Sequence, residues 1–485
     1  TFTDWSQIHT GIWHLHPLHL DWKRYCTTLH AACLRNEIAA VRAHSRHPVT
    51  TNLMGLSNVV DSWRLAPELD VVSLDSYPSY HETPGMADAA LQVSFTHDLF
   101  RTLKGGRPYL LMEMAPSPTN TMAVPKLKRP GIHRLEALQA VAHGADSVQY
   151  FQWRKNRAGC EKFHGAVVDH AGRSDTRVFA EVAALGAELE ALRDVVGTTA
   201  PAEVAIIHDW ESRWALEAAQ GPKRPDKGFI ETCLDHYRPF WQAGVTVDVI
   251  ESAVPLDRYR LVVAPMLYLL KPGVAESLRR FVAGGGTLVA TYLSGITDRH
   301  DRCLLGGWPG DGLREVFGVW AEELDCLYDA DRLEVRAHGA ASPFTGSYAA
   351  RHYADRLRLQ GATAMAVYDG QFYAGEPAVT CNRFGAGEAW YVGSRNDRRF
   401  QAELAAHLIA RLGLRRALPT SLPDGVTAQV RGDGREEFLF LLNWSGRPQT
   451  VDLGAVVRDA IDGTPAGPQL ALDTHGARVL RRMRS

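Results

Sequence analysis

PYLLMEMAPSPTN, residues 108–120, is the stretch on which the reading of this 485-residue chain turns. From Tyr109 it is apolar, it ends in the carboxylate of Glu113, and a loop rich in Pro, Ser and Asn follows at once. That pattern predicts a buried parallel strand delivering Glu113 to its C-terminal end. In a β/α barrel this is the end where catalytic groups sit, because the βα loops open there onto a shared cleft. A carboxylate beside Leu110, Leu111 and Met112 is costly to bury unless it is paired or hydrogen-bonded. Glu113 is therefore either a catalytic group or a strand-end partner in an ordinary salt bridge.

Outward from this strand, helices and strands alternate. Residues 21–45 have helical spacing (Leu29, Cys33, Ile38, Val41), and Pro48 precedes an extended run over 49–54. Asn58 and Asp61 can start a helix through Trp63 and Leu65. DVVSLDSYP, residues 70–78, reads as a β-branched strand ending in Asp75, Tyr77 and a turn-making Pro. A helix over 87–104 closes on Gly105 and Gly106. Beyond the Glu113 strand the pattern predicts a helix over 134–143, the strand DSVQYFQWR at 146–154, and an Ala-rich helix over 175–192. Alternation of this kind implies a parallel α/β sheet, either open and doubly wound or part of a barrel. No G-x-G-x-x-G opens a helix after any of these strands, which argues against a dinucleotide fold. Polar side chains gather at the strand ends: Asp75 and Tyr77, Glu113 and Asn120, Gln152 and Arg154. Several strands feeding one sugar-sized site would look like this.

Composition bounds the class. With 45% hydrophobic and 22% charged residues the chain is globular and long enough for two to four domains. A net charge of −2 provides no basic field for nucleic acid or an anionic membrane. The seven cysteines are scattered and never form C-x-x-C, which points to reduced thiols and to the cytoplasm as the simplest compartment. No apolar run approaches the roughly 20 residues of a spanning helix, and no signal-peptide pattern opens the chain. The first residue is Thr rather than Met, so it need not be the first residue of the gene product.

The loop KNRAGCEKFHGAVVDHAG, residues 155–172, carries a second constellation. Glu161 and His164 are three apart, so one helical turn puts them on the same face, where they can hydrogen-bond adjacent hydroxyls. A metal would need further ligands; Cys160 is adjacent, but nothing else nearby has ligand spacing. Ligand binding and a solvated polar loop both remain open on the residues alone.

PYLLMEMAPSPTN, the upstream VTTNLM and DVVSLDSYP, and the downstream QYFQWRKNRAGCEKFHGAVVDHAG together resemble, in order and spacing, the second half of the catalytic barrel of family 42 glycoside hydrolases, the microbial β-galactosidases. The resemblance continues to the C-terminus. It implies a retaining glycosidase in which Glu113 is the nucleophile, Tyr77 lies beside it, Asn120 contacts substrate, and Glu161 and His164 hold galactose hydroxyls. It implies a galactoside substrate, no cofactor and a homotrimer.

Two departures from the family pattern stand out. The family has Asn-Trp after the nucleophile, whereas Asn120 is followed here by Thr121. The acid/base Glu of an Asn-Glu pair ending the fourth barrel strand would fall upstream of residue 1, since Asn36-Glu37 sits in a helical stretch. The reading is therefore of a fragment lacking the first half of the barrel and inactive alone; the zinc-binding cysteines of some members would also lie upstream, so no metal site can be read from this chain.

Beyond Pro201 the runs 203–209, 245–251, 259–266 and 286–292 are buried-type strands, with helices such as 273–283 between them. This doubly wound pattern is similar to the glutamine-amidotransferase-like domain that mediates trimer formation in the family. No cysteine has the flanking glycines of a nucleophile elbow, so the domain reads as structural. Alternating segments at 436–444 and 448–453 predict a small antiparallel β domain, a β-sandwich. The expected architecture is the C-terminal half of a (β/α)8 TIM barrel over 1–198, the doubly wound α/β domain over 199–417 and the β domain over 418–485.

Overall fold

The computed structural model describes residues 3–7, 15–80, 85–223 and 226–483. Its N-terminal unit runs α1 (His16–Arg42), β1 (Asn52–Leu53), α2 (Ser62–Leu65), β2 (Ser73–Asp75), α3 (Met86–Thr102), β3 (Tyr109–Met114), α4 (Ile132–Ala142), β4 (Ala145–Tyr150) and α5 (Arg177–Ala191). The strands form one parallel sheet in the order β1-β2-β3-β4. Sequential order is the arrangement of a β/α barrel; a doubly wound sheet reverses direction at a switch point. Asp61 starts α2 as expected, its carboxylate accepting from the Trp63 N–H at 2.9 Å.

The strands are shorter than their sequence patterns. Pairing in β1 is confined to Asn52 and Leu53, and β4 stops at Tyr150. Past that point the Gln152 N–H donates to the Gly165 carbonyl (3.3 Å) and its carbonyl accepts from the Val167 N–H (3.0 Å). The chain after β4 has exchanged ladder partners for its own loop. Where β2 pairs with β3 the register carries one irregularity: Leu74 pairs with Leu111, but Asp75 pairs with Glu113. Met112 is the extra residue, a bulge of the kind that re-aims side chains.

Leu91, Phe95 and Leu99 of α3 and Leu135 and Leu138 of α4 are fully buried and belong to a core shared with Leu74, Leu111 and Met114. Helix α4 is buried almost all round, since β4 covers one side and the C-terminal strands cover another.

The middle unit begins with β5 (Val204–Ile207), α6 (Trp210–Ala218), α7 (Phe229–Gln242), β6 (Val247–Ile250) and β7 (Leu261–Ala264). With Thr287–Thr291 and Gly387–Val392 these strands form a parallel block, fully buried on both faces. The sequence reading had the doubly wound block but not its continuation: five antiparallel strands, Val319–Cys326, Leu333–Ala337, Ser347–Leu359, Thr363–Asp369 and Pro377–Phe384, extend the same sheet. In the C-terminal unit Val426–Gly432, Glu436–Asn443 and Ala477–Met483 are antiparallel neighbours, and Gln449–Asp452 pairs with Gln469–Leu472.

Buried arginines join the units. Arg101 of α3 donates to Asp98 (2.9 Å), Asp248 (2.6 Å) and the Ala200 and Val247 carbonyls. Arg431 reaches from the C-terminal sheet to Asp146 (2.7 Å) and the Val141, Ala145 and Thr198 carbonyls. No described helix is long and apolar enough to cross a membrane.

Candidate active site

The C-terminal ends of the parallel strands bring the expected polar groups together. The Tyr77 hydroxyl donates to Glu113 Oε2 at 2.5 Å. The Ser76 N–H donates to the Glu113 carbonyl at 2.9 Å, tying the chain after β2 to β3. Both side chains are half-buried, so the pair is held yet reachable. The bulge at Met112 sets Glu113 level with Asp75, and the two carboxyls are within hydrogen-bonding reach. Asn52, at the end of β1, donates to Asp75 Oδ2 at 2.7 Å.

These contacts set the electrostatics. Burial, and then the neighbouring Glu113, push the Asp75 carboxyl up to about 6 against the opposing effect of the Asn52 bond. Burial and then donation to Glu113 hold the Tyr77 phenol well above its usual range, so it remains a hydrogen-bond donor at any ordinary pH.

The second loop closes over this edge. Glu161 and His164 lie on one turn, with the His164 N–H donating to the Glu161 carbonyl at 2.9 Å. His164 is buried; its ring meets Tyr77 edge-on at 5.6 Å between centroids and Phe151 at 4.9 Å. Glu161 is half-buried, and its charge acts on Tyr77. Glu113, Tyr77, Glu161 and His164 thus share one neighbourhood. The Asn120 side-chain N–H donates to the Cys160 carbonyl at 3.0 Å, which fastens the loop after β3 to the loop after β4. Gly165 is a second fastening, donating to the Pro118 carbonyl at 2.8 Å. Gln152 is half-buried at this end, whereas Arg154 is exposed and tied to Val168 by backbone pairing.

Three participants were not singled out in the sequence. Asn52 was hidden in an extended run, Phe151 looked like one more strand apolar, and Gly165 matters only because two loops meet there. The cavities of about 580, 460 and 740 Å³ are lined by other residues, in the middle unit, at its junctions and in the C-terminal unit. Among the described residues the constellation lies at the C-terminal end of a four-stranded parallel sheet. Chemically, the edge offers a carboxylate oriented by a phenol, with an acid and an imidazole beside it to receive hydroxyls.

Comparison with known proteins gives the same order of parts. Residues 1–192 match the β-galactosidase profile of glycoside hydrolase family 42, residues 202–415 match the β-galactosidase trimerisation domain, and residues 425–482 match the β-galactosidase C-terminal domain. The chain is 46% identical to β-galactosidase BglY of Alicyclobacillus acidocaldarius, the alignment covering 99% of this chain and 71% of BglY. It is 44% identical to β-galactosidase Pbg of Clostridium perfringens over 96% of this chain and 69% of Pbg. Among solved structures, the cold-adapted β-galactosidase of Rahnella sp. R3 superposes with a TM-score of 0.96 at 47% identity, covering 100% of this chain and 71% of that one.

Proposed function

The chain belongs to the β-galactosidases of glycoside hydrolase family 42, and we propose that Glu113 is the nucleophile with which it hydrolyses terminal non-reducing β-D-galactosides by two displacements. The observation that carries this is the Tyr77–Glu113 hydrogen bond at the end of β3. One Glu113 oxygen is held by the phenol, leaving the other to attack the anomeric carbon. The bond to the leaving oxygen breaks, a second carboxyl about 5–5.5 Å from the first protonates it, and the same group then activates water against the galactosyl ester. Tyr77 stays hydrogen-bonded to the oxygen that becomes the ester carbonyl.

Glu161 and His164 are assigned to galactose hydroxyls, the carboxylate accepting and the imidazole completing the contact. Asn120 holds the loop that faces them. The acid/base carboxyl is assigned to no residue of this chain, which spans about 70% of the length of the relatives it matches. In this reading residues 1–198 are the nucleophile-bearing half of a β/α barrel, 199–417 the unit through which a homotrimer forms, and 418–485 the β domain. No cofactor or metal is assigned to residues of this chain, and the substrate is its one assigned small-molecule partner.

Dinitrophenyl β-galactoside with azide tests the assignment, because neither the leaving group nor the azide needs the acid/base. Attack by Glu113 followed by azide inverts the anomeric carbon twice and gives β-galactosyl azide. Glu113→Ala leaves space for azide to attack directly and gives the α-anomer. The same β-azide from Glu113→Ala as from the parent chain would remove Glu113 from the role.

A further inference from the structure

Resting on the reading of Glu113 as nucleophile, we propose that Asp75 is its positioning residue: a neutral carboxylic acid that donates a hydrogen bond to the Glu113 carboxylate, so that Glu113 is held from two sides. The geometry comes from the chain. The bulge at Met112 is what brings Glu113 level with Asp75, and it does so where the β3 strand ends. Asn52 donates to Asp75 Oδ2, which makes that oxygen an acceptor. The other oxygen, Oδ1, is buried and has no protein partner when written as a bare acceptor. A buried carboxylate oxygen without a donor is costly, and a proton placed on it turns it into a donor with Glu113 in reach.

Charge makes the same demand. Two adjacent carboxyls do not readily ionise together. Tyr77 already donates to Glu113 Oε2, so the negative charge belongs on Glu113 and the proton on Asp75. The other titratable groups facing the pair from the elements packed here are Tyr77 itself and, from the loop after β4, Glu161 and His164. The raised Asp75 carboxyl agrees with this arrangement. A donor on each side of Glu113 fixes the orientation of its carboxylate toward the sugar.

Carbon-13 NMR of the full chain, with aspartate side-chain carboxyls labelled and Asp75→Asn used for assignment, reads the proton directly. Asp75 is expected to titrate near 6 rather than near 3.8, and to fall toward the ordinary range in Glu113→Gln. An Asp75 that titrates in the ordinary range, or one that Glu113→Gln does not move, overturns the proposal. A second measurement separates donation from mere structure. Inactivation by a dinitrophenyl 2-deoxy-2-fluoro-β-galactoside forms the bond from a Glu113 oxygen to the anomeric carbon as the phenolate leaves with its electron pair, with no proton transferred. Asp75→Asn keeps a donor and is expected to stay within about threefold of the parent rate, with the pH dependence flattened, while Asp75→Ala falls by roughly tenfold or more. Equal losses in both variants would make Asp75 a structural strand-end group. An unlabelled parent chain whose Asp75 titrates as expected would instead remove Glu113 from its role and leave the pair standing.

Discussion

Replacing Gly165 by alanine probes how closely the two loops over Glu113 must fit. A Cβ built at Gly165 would lie 2.2 Å from Ser117 Oγ, 2.8 Å from the Ser117 carbonyl carbon and 2.9 Å from the Pro118 oxygen. The hydroxyl can rotate away, but the two backbone atoms cannot. Reaching ordinary contact at 3.4 Å requires the loops to part by about 0.5–0.6 Å. The Gly165–Pro118 hydrogen bond, 2.8 Å long, stretches by a similar amount. His164 is the adjacent residue and its Nδ1 lies 3.0 Å from the Gly165 carbonyl, so its ring shifts against Tyr77 as well. A misplacement of about 1 Å costs on the order of 10²-fold in rate, and half of that is expected to cost roughly 10–50-fold in kcat/KM, or ~1.4–2.3 kcal/mol. Release of dinitrophenolate from the galactoside in the presence of azide measures this, with thermal unfolding as the control for folding. Ser117→Ala is expected not to rescue Gly165→Ala, because the backbone contacts persist. Near-parental kcat/KM in Gly165→Ala, or full rescue by Ser117→Ala, would refute the reasoning.

Arg101→Met removes a fully buried donor from Asp98, Asp248 and two carbonyls, and is expected to cost about 3–5 kcal/mol in urea unfolding of the full chain; a loss under about 1 kcal/mol would mean that the other partners of those carboxylates, His143 and Tyr237 on Asp98 and Arg258 on Asp248, satisfy them alone. Asp355 is fully buried, and burial pushes its carboxyl up to about 7 despite donation from the Tyr391 hydroxyl at 2.8 Å. Since the folded value lies above the unfolded 3.8, the stabilisation is complete below that pH and is lost as pH rises through about 7. Asp355→Asn should therefore gain on the parent chain between pH 5 and pH 8 by roughly 2–4 kcal/mol, and equal pH dependence of urea unfolding in both proteins would contradict this. Glu161→Ala is expected to lower kcat/KM by roughly 10²-fold while the unfolding midpoint holds, since Glu161 is assigned to a substrate hydroxyl; the reverse pattern would return it to a structural role.

What could be read from the sequence divides along physical lines. Strand β3 was legible because a continuous apolar run bounded by a turn-rich loop has few other meanings, and the alternation of helix and strand around it followed from the spacing of apolar, capping and turn residues. The neighbourhood of Tyr77, Glu113, Glu161 and His164 was legible as strand-end and loop polarity. The bulge at Met112 was not, because register depends on the partner strand and leaves no local period. Asn52 and Gly165 act through contacts distant in sequence, so nothing nearby marks them. The antiparallel extension of the middle sheet did leave a signal. Ser347–Leu359 alternates buried Tyr348 and Ala350 with exposed Ser347 and half-buried Ala349, and Val319–Cys326 buries Val319 and Ala321 while exposing Glu322 and Glu323. Glycines and charged residues between these strands broke the pattern into pieces too short to be read as one sheet.

The central claim, that the carboxylate at the end of β3 takes the galactosyl group, is tested most directly by mass spectrometry of the proteolysed chain after reaction with the fluorogalactoside. The account requires the added 2-deoxy-2-fluorogalactosyl mass on Glu113, in the peptide spanning PYLLMEMAPSPTN. The same mass on any other residue would contradict it, as would a folded chain that the reagent leaves unmodified.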